Sequence, residues 1–66
     1  MPKKIRELIA DLKQANFVLD RQKGSHRQFK HLKWKGVITV SGSEGDDARR
    51  YQEKQVREAI AKSKEL

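Results

Sequence analysis

The chain has 66 residues, a formal charge of +7 and no cysteine. This length allows one small domain, residues 1–66, whose hydrophobic core must be thin. The lack of cysteine excludes disulfides and thiolate metal sites and agrees with a cytoplasmic protein. Because only two histidines are present, a zinc site would need unusual carboxylate partners, and we expect neither a metal nor a cofactor. No apolar run exceeds three residues, so we expect no membrane span and no signal peptide.

The positive charge is concentrated in one part of the chain. Residues 1–35 hold ten Lys or Arg and three Asp or Glu, whereas residues 36–66 hold six of each. Residues 21–35, the basic segment, contain six basic residues and no acid. Such clustering favours a polyanionic partner, usually nucleic acid. A solvated face that keeps the protein soluble is the alternative.

The first predicted element is a helix from Pro2 to Ala15. Its apolar residues recur at the spacing of one helical face, and they are Ile5, Leu8, Ile9 and Leu12. Pro2 suits the first helical turn, because its missing N–H has no partner there. Asn16 can adopt the left-handed conformation that ends a helix.

Three strands and a second helix follow. The strands are predicted at residues 17–22, 26–31 and 37–40, with turns at Lys23-Gly24-Ser25 and Lys35-Gly36. Alternation places Phe17, Leu19 and Phe29 on the core face, with Arg27 and His31 beside Phe29, while His26, Gln28 and Lys30 share the opposite face. Residues 41–47 form an acidic loop, in which an Asp is expected to cap the second helix. The second helix is predicted from about Arg50 to Lys64.

This order predicts an α+β fold, α-β-β-β-α. Short turns make the sheet a three-stranded antiparallel meander. Since each helix has one apolar stripe, both helices are expected on the same face of the sheet, and the other face is left in water. His26 would lie on that open face, within the basic segment.

Four features occur together in the chain: Ala15-Asn16-Phe17, the run Gln22-Lys23-Gly24-Ser25-His26, a β-branched strand ending at Val40, and Gly45-Asp46-Asp47 before a final helix. In these features, and over nearly its whole length, the sequence resembles the HicA toxins of HicA–HicB toxin–antitoxin systems. The resemblance implies a double-stranded-RNA-binding-like fold, an endoribonuclease that cleaves mRNA and inhibits translation, and neutralisation by a HicB-like antitoxin. It also implies that His26 is the catalytic histidine.

The chemistry is consistent with these residues. Metal-independent RNA cleavage needs a group that takes the proton of the 2′-hydroxyl, and histidine can do so at cytoplasmic pH. Positive charge from Lys23, Arg27 or Lys30 would stabilise the pentacoordinate phosphorus. Gly24 and Ser25 form the turn beside His26 and are expected to contact RNA together with these cations, Ser25 as a candidate hydrogen-bond donor to phosphate.

Several roles and functions stay open at this stage. His31 is expected to be structural. Trp34, predicted at a hairpin tip, is equally suited to stacking on a base, packing beside the second helix or meeting a partner. Lys54 is a phosphate contact only by analogy with double-stranded-RNA-binding domains. The whole domain is alternatively a non-catalytic RNA-binding domain, or an interaction module for an acidic protein.

Overall fold

The computed structural model describes residues 2–65. Its elements are α1 (Ile5–Gln14), β1 (Phe17–Lys23), β2 (His26–His31), β3 (Trp34–Ser41) and α2 (Arg50–Lys64). The predicted α-β-β-β-α order is confirmed, and the strands form an antiparallel sheet in the order β1-β2-β3.

The first helix begins later than predicted, at Ile5 instead of Pro2. Residues 3 and 4 are extended because they pair with the loop before α2. The Ala48 N–H donates to the Lys3 carbonyl at 2.7 Å, and Lys4 forms an isolated antiparallel bridge with Asp47. The backbone N–H of Lys4 donates to the Glu7 carboxylate, which caps the helix. At the other end, Asn16 has a φ of 71°, and this confirms the predicted left-handed stop.

The second hairpin turns at Leu32-Lys33, so the predicted turn at Lys35-Gly36 is wrong. Gly36 lies within β3, against the ring of Trp34. A Cβ on Gly36 would come within 2.5 Å of that ring. The glycine therefore serves the packing of Trp34, whose ring meets the Phe17 ring edge-on at a centroid distance of 5.7 Å.

Both helices cover one face of the sheet, as expected. The core between these layers is apolar and consists of Ile5, Leu8, Ile9, Leu12, Phe17, Phe29, Ile38, Val40, Ala48, Val56 and Ala59. Leu19 was expected in this core but is 45% exposed. It pairs with the buried Phe29, but it lies on an edge strand in which burial is confined to the first residue, Phe17. Leu19, two residues further along, is already outside the covered part of the sheet.

A β-bulge at Asp20 changes which side chains of β1 face water. Leu19 pairs with Phe29 and Arg21 pairs with Gln28, so that Asp20 is an extra residue in the strand. Strict alternation from Phe17 would turn Arg21 and Lys23 towards the helices. The bulge instead puts both on the face away from the helices.

Candidate functional site

The open face of the sheet, opposite the helices, carries a shallow depression beside the first hairpin. Its lining includes two cationic side chains, one imidazole and two neutral polar side chains, namely Arg21, Lys23, His26, Gln28 and Thr39. All five residues are exposed. The depression therefore combines a titratable ring, two cations and hydrogen-bonding groups in an area open to a large ligand.

His26 is the first residue of β2 and is exposed on this face, as alternation predicts. It pairs with Ser41, the last residue of β3. Its Nδ1 lies 2.9 Å from the Ser41 Oγ, within hydrogen-bonding distance. One ring nitrogen is thus engaged by the protein, and Nε2 is the nitrogen that remains for a ligand.

Lys23, Gly24 and Ser25, predicted to contact RNA, lie directly beside His26. Lys23 is its cross-strand partner. Gly24 has a φ of 59°, which favours glycine, and nothing lies within 4 Å of the place where its Cβ would be. A phosphate has room to approach the backbone there.

Lys30 is on the same face, further from the turn. Its ammonium lies 3.5 Å from the Asp20 carboxylate, and both side chains are partly exposed. Such surface pairs stabilise a protein by about 0–1 kcal/mol. This weak pairing with Asp20 leaves the Lys30 ammonium able to bind a phosphate group instead.

Arg27 faces the helices, as alternation predicts, and so lies away from His26. Its guanidinium donates to the Gly42 carbonyl at 2.9 Å and to the Ser25 carbonyl at 3.3 Å. These bonds tie the first turn to the loop that follows β3. The observed contacts of Arg27 thus hold the turn in place, and its guanidinium does not line the depression.

The remaining candidates lie outside the lining of this depression. The Nδ1 of His31 accepts the Lys33 N–H at 3.1 Å, and its ring meets the Phe17 ring at 4.9 Å. Lys54 is exposed on α2. The N-cap of α2 is Arg49, so the expectation that an Asp caps this helix is wrong. Asp46 instead accepts the Ser43 N–H, and Asp47 pairs with Lys4.

Arg21 and Ser41 belong to the site but were not among the predicted site residues. Arg21 was recognised only as part of the basic segment, because its face depends on the bulge. Ser41 stands at the end of a β-branched strand, and no local signal in the sequence pairs it with His26. The register of β2 and β3, which the sequence does not state, brings them together.

Within residues 2–65, no three His, Asp or Glu side chains cluster as metal ligands would. In the same range, no helix combines the length and the apolar character needed to cross a bilayer.

These features define a small, basic α+β domain whose uncovered sheet face presents a histidine hydrogen-bonded to a serine and flanked by cations. Residues 5–62 match the family model described as HicA toxin of bacterial toxin-antitoxin. Since the match covers most of the chain, the protein belongs to the HicA toxin family. No curated protein matches the chain.

Proposed function

We propose that this HicA toxin is a metal-independent endoribonuclease that cleaves mRNA in the cytoplasm and thereby inhibits translation. The observation that carries the proposal is the exposed His26, whose Nδ1 is engaged by Ser41 and which lines one depression together with the cationic Arg21 and Lys23. Histidine is suited to general acid–base catalysis near neutral pH. Membership of the HicA family supports the toxin role.

In the proposed reaction, Nε2 of His26 accepts the proton of a ribose 2′-hydroxyl. The 2′-oxygen attacks the adjacent phosphorus, and the bond to the 5′-oxygen breaks. The products are a 2′,3′-cyclic phosphate and a 5′-hydroxyl: water protonates the 5′-oxygen, and the hydroxide so formed takes the proton from the His26 imidazolium. General base catalysis of this kind contributes about 10²–10⁴-fold to the rate.

Cationic side chains would stabilise the negative charge that develops on phosphorus. Lys23 is the cross-strand partner of His26, and Arg21 lines the same depression. Gly24 and Ser25 leave room for one phosphate of the RNA to approach the turn. Lys30 can bind a neighbouring phosphate of the same RNA. Arg27 contributes indirectly in this proposal, by holding the turn. Because no general acid besides His26 is found among the described residues that line the depression, the enzyme is expected to be slow.

Neutralisation by a HicB-like antitoxin is the second part of the proposal. A face with clustered cations favours an acidic partner, both through complementary potential and through fast association. A partner that covers His26 would exclude RNA from the depression. Such a partner would also stabilise the toxin, as any ligand specific for the folded state does.

Incubation of the purified chain with mRNA in EDTA tests the proposed activity. A metal-independent nuclease cuts the RNA and leaves 2′,3′-cyclic phosphate ends. A non-catalytic RNA-binding domain only retards it in a gel, and a protein-interaction module does neither. Retardation without cleavage by the folded wild-type chain would contradict the proposal.

A further inference from the structure

Ser41 is the residue whose side-chain hydroxyl contacts the imidazole of His26. The two residues are paired across β2 and β3, and the Ser41 Oγ lies 2.9 Å from the His26 Nδ1. Both are on the open face of the sheet. The Ser41 hydroxyl contacts Nδ1, whereas the proposed base is Nε2, so its effect on that base acts through the His26 ring.

The backbone of Ser41 is held from α2 by Gln52. The side-chain Nε2 of Gln52 donates to the Ser41 carbonyl at 2.9 Å, and its Oε1 accepts the Arg49 N–H at 3.1 Å. Gln52 is only 4% exposed. If it turned away, buried polar groups would lose their partners, which is costly. The position of Ser41 is therefore fixed by the start of α2.

The next residue, Gly42, is held from the first hairpin. Its carbonyl accepts the Arg27 guanidinium at 2.9 Å, and its N–H donates to the Ser25 carbonyl at 3.3 Å. Ser25 directly precedes His26 in the chain. The backbone segments that carry the serine hydroxyl and the imidazole are thus bonded to each other, and their relative position is restrained.

The hydrogen bond matters because a neutral imidazole carries its proton on one nitrogen only. If Nδ1 carries the proton, it donates to the Ser41 Oγ and leaves Nε2 as an acceptor. If Ser41 donated to Nδ1 instead, Nε2 would carry the proton and could not act as a base. We propose that Ser41 is a positioning residue that holds neutral His26 in the Nδ1–H tautomer, with Nε2 free to accept a proton. This inference rests on the proposed role of His26 as the base.

The tautomer can be measured without RNA, from imidazole ¹⁵N shifts of the labelled protein at about pH 9, well above the reference pKa of histidine. His31 supplies an internal reference, because its Nδ1 accepts the Lys33 N–H and must be unprotonated in the neutral ring. We expect the opposite tautomer for His26. Ser41→Ala should abolish the preference at His26 and leave His31 unchanged, whereas Ser41→Thr keeps a hydroxyl and should retain it.

Ser43→Ala is the matched control. Ser43 lies two residues further on, is exposed, and its hydroxyl joins none of the hydrogen bonds found within residues 2–65. Single-turnover cleavage of RNA should fall roughly tenfold in Ser41→Ala, the factor that corresponds to about 1.4 kcal/mol and to one neutral hydrogen bond. Ser41→Thr and Ser43→Ala should cleave close to the wild-type rate.

The two measurements separate this inference from the proposed function. Nε2–H at wild-type His26, or an unchanged tautomer in Ser41→Ala, would overturn the role of Ser41 whether or not the protein cuts RNA. An unchanged cleavage rate in a Ser41→Ala protein whose tautomer has shifted would also overturn it. The expected tautomers in a wild-type protein that does not cut RNA would support the role of Ser41 in the ring state and refute the nuclease.

Discussion

Replacing Arg21 and Lys23 by glutamine should weaken the salt dependence of RNA binding. Both side chains lie on the open face beside His26, because the bulge at Asp20 turns them away from the helices. Each phosphate that a protein neutralises on a single strand contributes about 0.7 to the slope of log K against log salt. If each side chain binds one phosphate, the double variant should lose about 1.4 from that slope. A roughly fourfold rise in salt would then weaken the wild-type protein about sevenfold more than the variant.

The assay is fluorescence anisotropy with a single-stranded 2′-O-methyl RNA at several salt concentrations. This RNA cannot be cleaved by the proposed route, because its 2′-oxygens carry no proton. The control is the double variant Lys62→Gln with Lys64→Gln, which loses the same charge from exposed positions at the end of α2. Its slope should equal that of the wild-type protein. Equal reductions in both double variants would show that net charge, and not the open face, governs binding.

Three other predictions concern the partner, the bulge and the core. A HicB-like antitoxin should slow amide hydrogen exchange in residues 21–35, His26 included, and should raise the melting temperature of the toxin, since it binds the folded state. Protection confined to α2 would contradict this. Deleting the bulge residue Asp20 should preserve the strand pairing and the RNA binding measured by anisotropy. Deleting Gln22, which pairs with Arg27, should instead turn Lys23 towards the helices and weaken RNA binding. Equal effects of the two deletions would refute the bulge. Phe29→Ala should lower the free energy of unfolding in urea by about 3–5 kcal/mol, because Phe29 is fully buried, while Leu32→Ala, at a residue 96% exposed, should change it by less than about 0.5 kcal/mol; a small loss at Phe29 would contradict the assigned core.

The sequence predicts the elements well where one local pattern determines them. The bounds of α2 and β2 agree with the prediction, because helical spacing defines the apolar face of α2, and a glycine turn and alternation delimit β2. Asn16 likewise ends α1 by its own conformational preference. The face of His26 follows from alternation within one strand.

Features that depend on pairing between segments were not predictable in this way. The start of α1 is set by contacts of Lys3 and Lys4 with residues 47 and 48. Gly36 indicated a turn locally, but its role is to leave room for Trp34. The bulge at Asp20 and the bond between His26 and Ser41 both depend on strand register, so that Arg21 and Ser41 join the candidate site only in three dimensions.

The most direct test of the central claim is the single-turnover rate of RNA cleavage by His26→Ala in EDTA, with the fold of the variant checked by circular dichroism. His26 is exposed, so its loss should leave the fold intact. The account predicts that the rate falls by about 10²–10⁴-fold relative to the wild-type protein. A folded His26→Ala protein that cleaves RNA at the wild-type rate would contradict the assignment of His26 as the catalytic base.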